Sequence, residues 1–189
     1  MLFTLGHSNR SFEEFSEIIQ KFSISIILDI RSIPYSRWNP HFGKKYLEGK
    51  FSGTGIQYHY KGDVLGGKYS DPEYIIRPGI ADYGKVMNRP EFRHEMDSWV
   101  PRFLSDKENL CFFCCEKDPL YCHRNLLINR YLFPVIPEII NIIDLGTFLS
   151  QEKLETMMVD IYREKMGADL FYEPPGREAI FRYFNERKR

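Results

Sequence analysis

The chain has 189 residues, 43% of them hydrophobic and 15% aromatic, with 26 basic and 26 acidic side chains that cancel. A chain of this length folds as one domain that buries roughly 70% of the surface its unfolded form exposes. Zero net charge speaks against strong non-specific DNA binding, which needs many phosphate contacts. No stretch approaches the ~18 apolar residues of a membrane span, and Met1 to His7 lacks the charged and apolar regions of a signal peptide, so a cytoplasmic protein with no membrane partner is expected.

Leu2 to Leu5 is a short apolar run ended by Gly6 and reads as a buried strand. Ser11 followed by Glu14 is a capping box, and Phe12, Phe15, Ile18 and Ile19 repeat at helical spacing to about Lys21. Ile24 to Ile30 is too apolar for a one-sided strand and predicts a central parallel one. Arg31 to Gly43, broken by Pro34 and Pro40, reads as a polar loop. A short helix over Lys44 to Phe51 precedes a third strand, Ile56 to Tyr60, and Lys61 to Pro78 reads as a long Gly- and Tyr-rich loop. Phe92 to Leu104 is helical, with a kink expected at Pro101. Leu110 to Cys115 and Ile139 to Ile143 are the fourth and fifth strands, with a helix from Cys122 to Phe133 between them. Gln151 to Met166 and Gly176 to Arg187 read as terminal helices, and the tail Arg187-Lys188-Arg189 as a solvated end.

Strands alternating with helices predict an α/β fold: a three-layer, Rossmann-like parallel sheet of about five strands, with helices on both faces and C-terminal helices. Residues 1–145 would form this domain, and 146–189 a helical extension packed on it. In such sheets the ligand sits beyond the carboxyl ends of the strands. The residues that follow each strand then become the candidates.

After the first strand come His7, Ser8, Asn9 and Arg10. His7 suits proton transfer or metal ligation. Ser8 and Asn9 either cap the following helix or join its free N–H groups in holding an anion. After the second strand, Asp29 and Arg31 share a face and form either an ion pair or an anchor. Arg31, Arg37, Trp38 and Asn39 suit a phosphate and a base, because guanidinium forks bind phosphate and indole rings stack.

The segment Cys114 to Arg124 is the richest. All four cysteines, Cys111, Cys114, Cys115 and Cys122, fall within twelve residues, which speaks for reduced thiols rather than a disulfide framework. Three readings stay open. A thiol near a helix start, His and Arg is reactive, but rhodanese-like and phosphatase-like loops hold Cys and Arg about six residues apart around backbone N–H groups, and Cys115 and Arg124 are nine apart. Cys114, Cys122 and His123 with His7 would bind zinc, but no C-x-x-C pair is present. Otherwise the thiols are buried packing groups, the bland reading of Cys111, and Glu116, Lys117, Asp118, His123 and Arg124 make the site.

Thr4-Leu5-Gly6-His7-Ser8-Asn9-Arg10, Leu28 to Pro34 with Ser36 to Phe42, Leu65-Gly66-Gly67, and Cys114-Cys115-Glu116-Lys117-Asp118-Pro119-Leu120-Tyr121-Cys122-His123-Arg124 together resemble the prokaryotic domain of unknown function 488. The resemblance spans about the first 140 residues, and the ordered set is far more specific than any one piece. The family pattern implies one cysteine before the Glu-Lys-Asp turn, matched by Cys114; Cys115 stands where the family commonly has Ala. The resemblance implies no reaction.

The leading expectation is an enzyme acting on a nucleotide, nucleic acid or other phosphate-bearing ligand. Arg31, Arg37 and Arg124 would bind the anion, with Ser8, Asn9, Arg10, Asp29, Trp38, Asn39, Cys114, Lys117 and Asp118 around it. His7, Glu116 and His123 would move protons, and Cys122 would be a nucleophile or a structural thiol. A non-catalytic nucleic-acid-associated module and rhodanese-like thiol chemistry are the alternatives. No cofactor is expected, zinc being the weaker option.

Overall fold

The computed structural model describes residues 1–105, 107–166 and 176–187. Lys188 and Arg189 of the basic tail lie outside them.

Burial along the strands follows the apolar runs. Leu2–Gly6 (β1), Ile26–Asp29 (β2) and Leu110–Cys114 (β6) are buried at every position. Between β1 and β2 lies Phe12–Lys21 (α1), whose Ser11 side chain accepts from Glu14 N while the Glu14 carboxylate accepts from Ser11 N, the expected capping box. Lys44–Phe51 (α2) leads to the half-exposed Gln57–Tyr60 (β3).

The stretch expected to be a loop, Lys61 to Pro78, contains the single turn Gly62–Leu65 (α3) and the start of a small hairpin, Ile75–Arg77 (β4) with Ile80–Ala81 (β5). Elements this short carry no readable period. Tyr83–Val86 (α4) follows, and then Pro90–Phe103 (α5), which runs through Pro101.

After β6 the expected helix proves to be a π-helix, Arg124–Asn129, continued by Arg130–Leu132 (α6). Ile139–Asp144 (β7) follows, then Thr147–Ser150 (β8), Gln151–Met166 (α7) and Arg177–Glu186 (α8).

The main sheet has six strands in the order β3-β2-β6-β1-β7-β8. All pairs are parallel except β7 with β8. The sixth strand was not expected. Three of the four residues in Thr147–Ser150 are exposed, so no buried apolar run marks them.

Side chains alternate across the sheet. Phe3, Leu5, Ile27, Cys111 and Phe113 pack with α1 and α2 on one face. Leu2, Ile26, Leu28, Leu110, Phe112 and Cys114 pack on the other with α5, the π-helix, α7 and α8. The fold is thus a three-layer, Rossmann-like α/β architecture. Met158 from α7 and Phe181 and Phe184 from α8 belong to that second core cluster. Among the described residues no helix is long and apolar enough to cross a membrane.

Candidate functional site

The strand order places a crevice. From β1 the chain crosses to β2 on one side; from β6, the neighbour of β1, it crosses to β7 on the other. Right-handed crossovers in opposite directions put their helices on opposite faces, here α1 and the π-helix. The loops after β1 and β6 diverge, and ligands occupy such switch points at the carboxyl ends of strands. Gly6 pairs with Cys114 at that edge.

On the α1 face, Arg31 donates to both oxygens of Asp29, Nε at 2.8 Å and Nη2 at 2.5 Å, and Tyr58 Oη donates to Asp29 Oδ2. Asp29 and Arg31 are both buried. The sequence left ion pair and anchor open; the structure makes the pair, with the Arg31 guanidinium also over the Phe113 ring. Burial and the Asp29 charge push the Tyr58 phenol up, so it stays a donor.

His7 stacks on Phe42 with ring centroids 4.4 Å apart, and its Nδ1 lies 2.7 Å from the Ser8 carbonyl. That contact makes Nδ1 the protonated nitrogen. Burial pulls the His7 pKa down to about 4, with the Arg31 charge adding to the effect. His7 is therefore a neutral imidazole at physiological pH.

On the opposite face, Cys114, Glu116, Cys122, His123 and Arg124 meet. The Cys114 and Cys122 sulfurs are 3.1 Å apart, and Cys122 Sγ lies 3.2 Å from Glu116 Oε2. Arg124 is wholly buried. Its Nη1 donates to Cys114 Sγ at 3.0 Å and to the Glu116 carbonyl, and its Nη2 to the Lys117 carbonyl at 2.7 Å. Only glycine fits beside it at position 6, since a Cβ there would overlap the Glu116 carbonyl. Burial works against a Cys114 thiolate, but Cys122 and Arg124 outweigh it and hold the Cys114 thiol below its ordinary range. Burial and the Cys114 charge push Cys122 well above it. His123 Nε2 reaches the Ile30 carbonyl at 3.0 Å.

Between the β2 and β6 loops opens a cleft of about 230 Å³, lined by Arg31, Ser32, Gly67, Lys68, Cys115, Glu116 and His123 with Ile33. Lys68 was not singled out from the sequence. The Gly66-Gly67 pair before it was the available signal. Ser32 belongs here too, its Oγ accepting from Lys68 N at 3.0 Å. The Cys115 side chain is exposed at the cleft, while the protein around it and the neighbouring Cys114 push its thiol up to about 12.

The remaining candidates sit elsewhere. Arg10 donates to the Gly6 and Ile143 carbonyls and tethers β1 to β7. Asn9 is exposed, and Ser8 has a positive φ of 52°. Asn39 Nδ2 donates to the Ser8 carbonyl at 3.3 Å, closing its loop on the β1 end. Arg37 stacks over an exposed Trp38 at 4.7 Å, and neither lines the cleft. Lys117 pairs with Asp144 at 2.7 Å, and Asp118 caps its own turn through Leu120 N. Zinc on Cys114 and Cys122 together with His7 is not assembled, because His7 packs with Phe42 and Phe113 on the face opposite the two cysteines. The ligand atoms of Cys114, Glu116 and Cys122 do lie within 4.8 Å of one another.

Fold and site together define a Rossmann-like α/β protein with a polar crevice where its loops part. Residues 11–131 match the family described as domain of unknown function DUF488, and the chain belongs to that family. No curated protein and no solved structure gives a match.

Proposed function

We propose that the protein is an enzyme acting on a small phosphate-bearing ligand, a nucleotide or the end of a nucleic acid, in the cleft between Arg31 and Lys68. The observation that carries this reading is the pairing of two cations with two proton-transfer groups, His123 and Glu116, in one cleft at the carboxyl edge. Asp29 holds the Arg31 guanidinium through two nitrogens, the preorganisation that anion binding rewards. Gly67 carries no side chain because His123 and the Tyr83 hydroxyl pack into the place a Cβ would take, which seats His123 against the cleft wall. At about 230 Å³ the cleft lies below the usual range of ~300–1,000 Å³ for ligand pockets, which favours a small ligand or a chain end over a dinucleotide. Arg124, spent on backbone carbonyls and Cys114, supports the cleft wall instead of binding the anion.

The second reading, a binding module without turnover, draws on the exposed Arg37–Trp38 stack, a platform for a nucleobase. Rhodanese-like chemistry has less support: Cys114 and Cys122 are buried, and the exposed Cys115 stands nine residues from Arg124 with no loop of backbone N–H groups closed between them.

A thermal-shift screen with inorganic phosphate, nucleoside phosphates and short oligonucleotides tests the proposal. A ligand at 100 times its Kd adds about 2.7 kcal/mol. The exposed Lys68, replaced by Ala, should lose that shift. No shift with any phosphate compound overturns the reading. Binding with no turnover of any bound ester favours the module.

A further inference from the structure

The turn from Cys114 to Cys122 brings the two sulfurs within 3.1 Å, where both are fully buried. Full burial decides between two uses of a close thiol pair. A nucleophile or redox dithiol needs a path for its partner; a metal ion taken up as the chain folds needs none, because binding and folding are coupled. Glu116 Oε2 lies 3.2 Å from Cys122 Sγ, and the three ligand atoms fit within 4.8 Å of one another.

We propose that Cys114, Cys122 and Glu116 bind one divalent thiophilic cation of the zinc type. This site borders the phosphate cleft and shares Glu116 with its wall, so with the ion bound proton transfer in the cleft falls to His123; the sulfur and carboxylate distances carry it independently of that cleft. Bonds of ~2.3 Å at tetrahedral angles set two sulfurs about 3.7 Å apart, so the pair must widen by only about 0.6 Å from its 3.1 Å separation. Charge balances. The empty cluster holds Arg124 as a cation and Glu116 as an anion with two neutral thiols. Uptake of a divalent ion releases the two thiol protons, leaving two thiolates, the carboxylate, the metal and Arg124, again neutral in sum.

The outer shell is also in place. Arg124 Nη1 donates to Cys114 Sγ at 3.0 Å, as an N–H donor does to a bound thiolate. His123 Nδ1 lies 3.8 Å from Cys122 Sγ while its Nε2 reaches the Ile30 carbonyl. A proton on Nε2 leaves the Nδ1 lone pair toward the cluster, at the border of the fourth position. The ion would fasten the end of β6 to the start of the π-helix.

Full-length untagged protein should carry close to one zinc per chain by elemental analysis. After chelation it should take up one Cd²⁺ with a thiolate-to-metal absorption band. Cys122→Ser should lose that band, and Cys115→Ser should keep it. Glu116→Gln, which leaves both thiols in place, should weaken Cd²⁺ binding at least tenfold and serves if Cys122→Ser fails to fold. Near-zero metal both as isolated and after Cd²⁺ loading overturns the proposal. So does a band that survives Cys122→Ser, a Cd²⁺ affinity left unchanged by Glu116→Gln, or a band that disappears with Cys115→Ser.

Discussion

The Asp29 carboxylate and the Arg31 guanidinium are locked side by side, at 2.8 and 2.5 Å, with Asp29 fully buried and Arg31 reaching only the cleft wall. Breaking such a pair leaves one buried charge uncompensated, at a cost of about 3–5 kcal/mol. Asp29→Asn should therefore destabilise by that amount in urea unfolding and also weaken the thermal shift given by phosphate ligands. Replacing both residues by Leu should cost clearly less stability while still abolishing the ligand shift. A loss below about 1 kcal/mol in Asp29→Asn would show that the pair is not the anchor described.

His7 makes stability depend on pH. Its folded pKa of about 4 lies below the ordinary 6.5. Between those values the unfolded chain takes up a proton that the folded chain refuses, so stability falls as pH drops from 6.5 to 4. Arg31 reinforces the effect, and Asp29 and Glu116 oppose it. The contribution is at most about 3 kcal/mol. His7→Phe keeps a ring against Phe42 and should flatten that part of the profile. An unchanged slope in denaturation curves across this window would contradict it.

Gly67 borders the cleft. A Cβ there would stand 2.7 Å from the His123 ring and 2.9 Å from Tyr83 Oη. Gly67→Ala should cost about 1–3 kcal/mol by overpacking and displace His123, so ligand binding should fall together with stability. Calorimetry that finds wild-type affinity in a fully folded Gly67→Ala protein would remove His123 from the ligand's surroundings.

A polar network lies inside the second core. Thr4 Oγ1 and Asn129 Nδ2 donate to Asn141 Oδ1 at 2.9 and 3.0 Å, and Asn141 Nδ2 donates to Gln151 Oε1 at 3.1 Å. Gln151 Nε2 in turn donates to Asn125 Oδ1 at 2.8 Å. Each orphaned buried group costs about 1–3 kcal/mol. Asn141→Leu leaves Thr4 Oγ1 without its partner, while Asn129 Nδ2 still donates to Gln151 Oε1 at 2.8 Å, so it should cost about 1–3 kcal/mol. A thermal melt within a degree of wild type would refute this.

Sequence legibility followed burial. The runs at Ile26–Asp29 and Leu110–Cys114 and the Ser11–Glu14 capping box carry local signals strong enough to read directly. Thr147–Ser150 does not, because it joins the sheet only through its turn-mediated pairing with β7. Asn125, Asn129, Asn141 and Gln151 look like surface residues in the sequence, since only the fold supplies their partners. In the site, the strand-end rule picked out Arg31, Glu116 and His123. It could not separate Arg10 and Arg124, which bond backbone carbonyls, from Arg31, which lines the cleft. Nor did it find Lys68, which a distant loop brings in.

The π-helix at Arg124–Asn129 holds more chain per turn than an α-helix of 3.6 residues. It behaves as a one-residue insertion absorbed within a helix. Removing one residue from this stretch would restore ordinary α spacing while the helix on either side kept its direction. The loss would fall on the widened turn itself, where Leu126 and Leu127, buried in the core, would share one residue fewer with the Cys122-His123-Arg124 group. The surplus residue lets one helix serve the hydrophobic core and the strand-end chemistry at once.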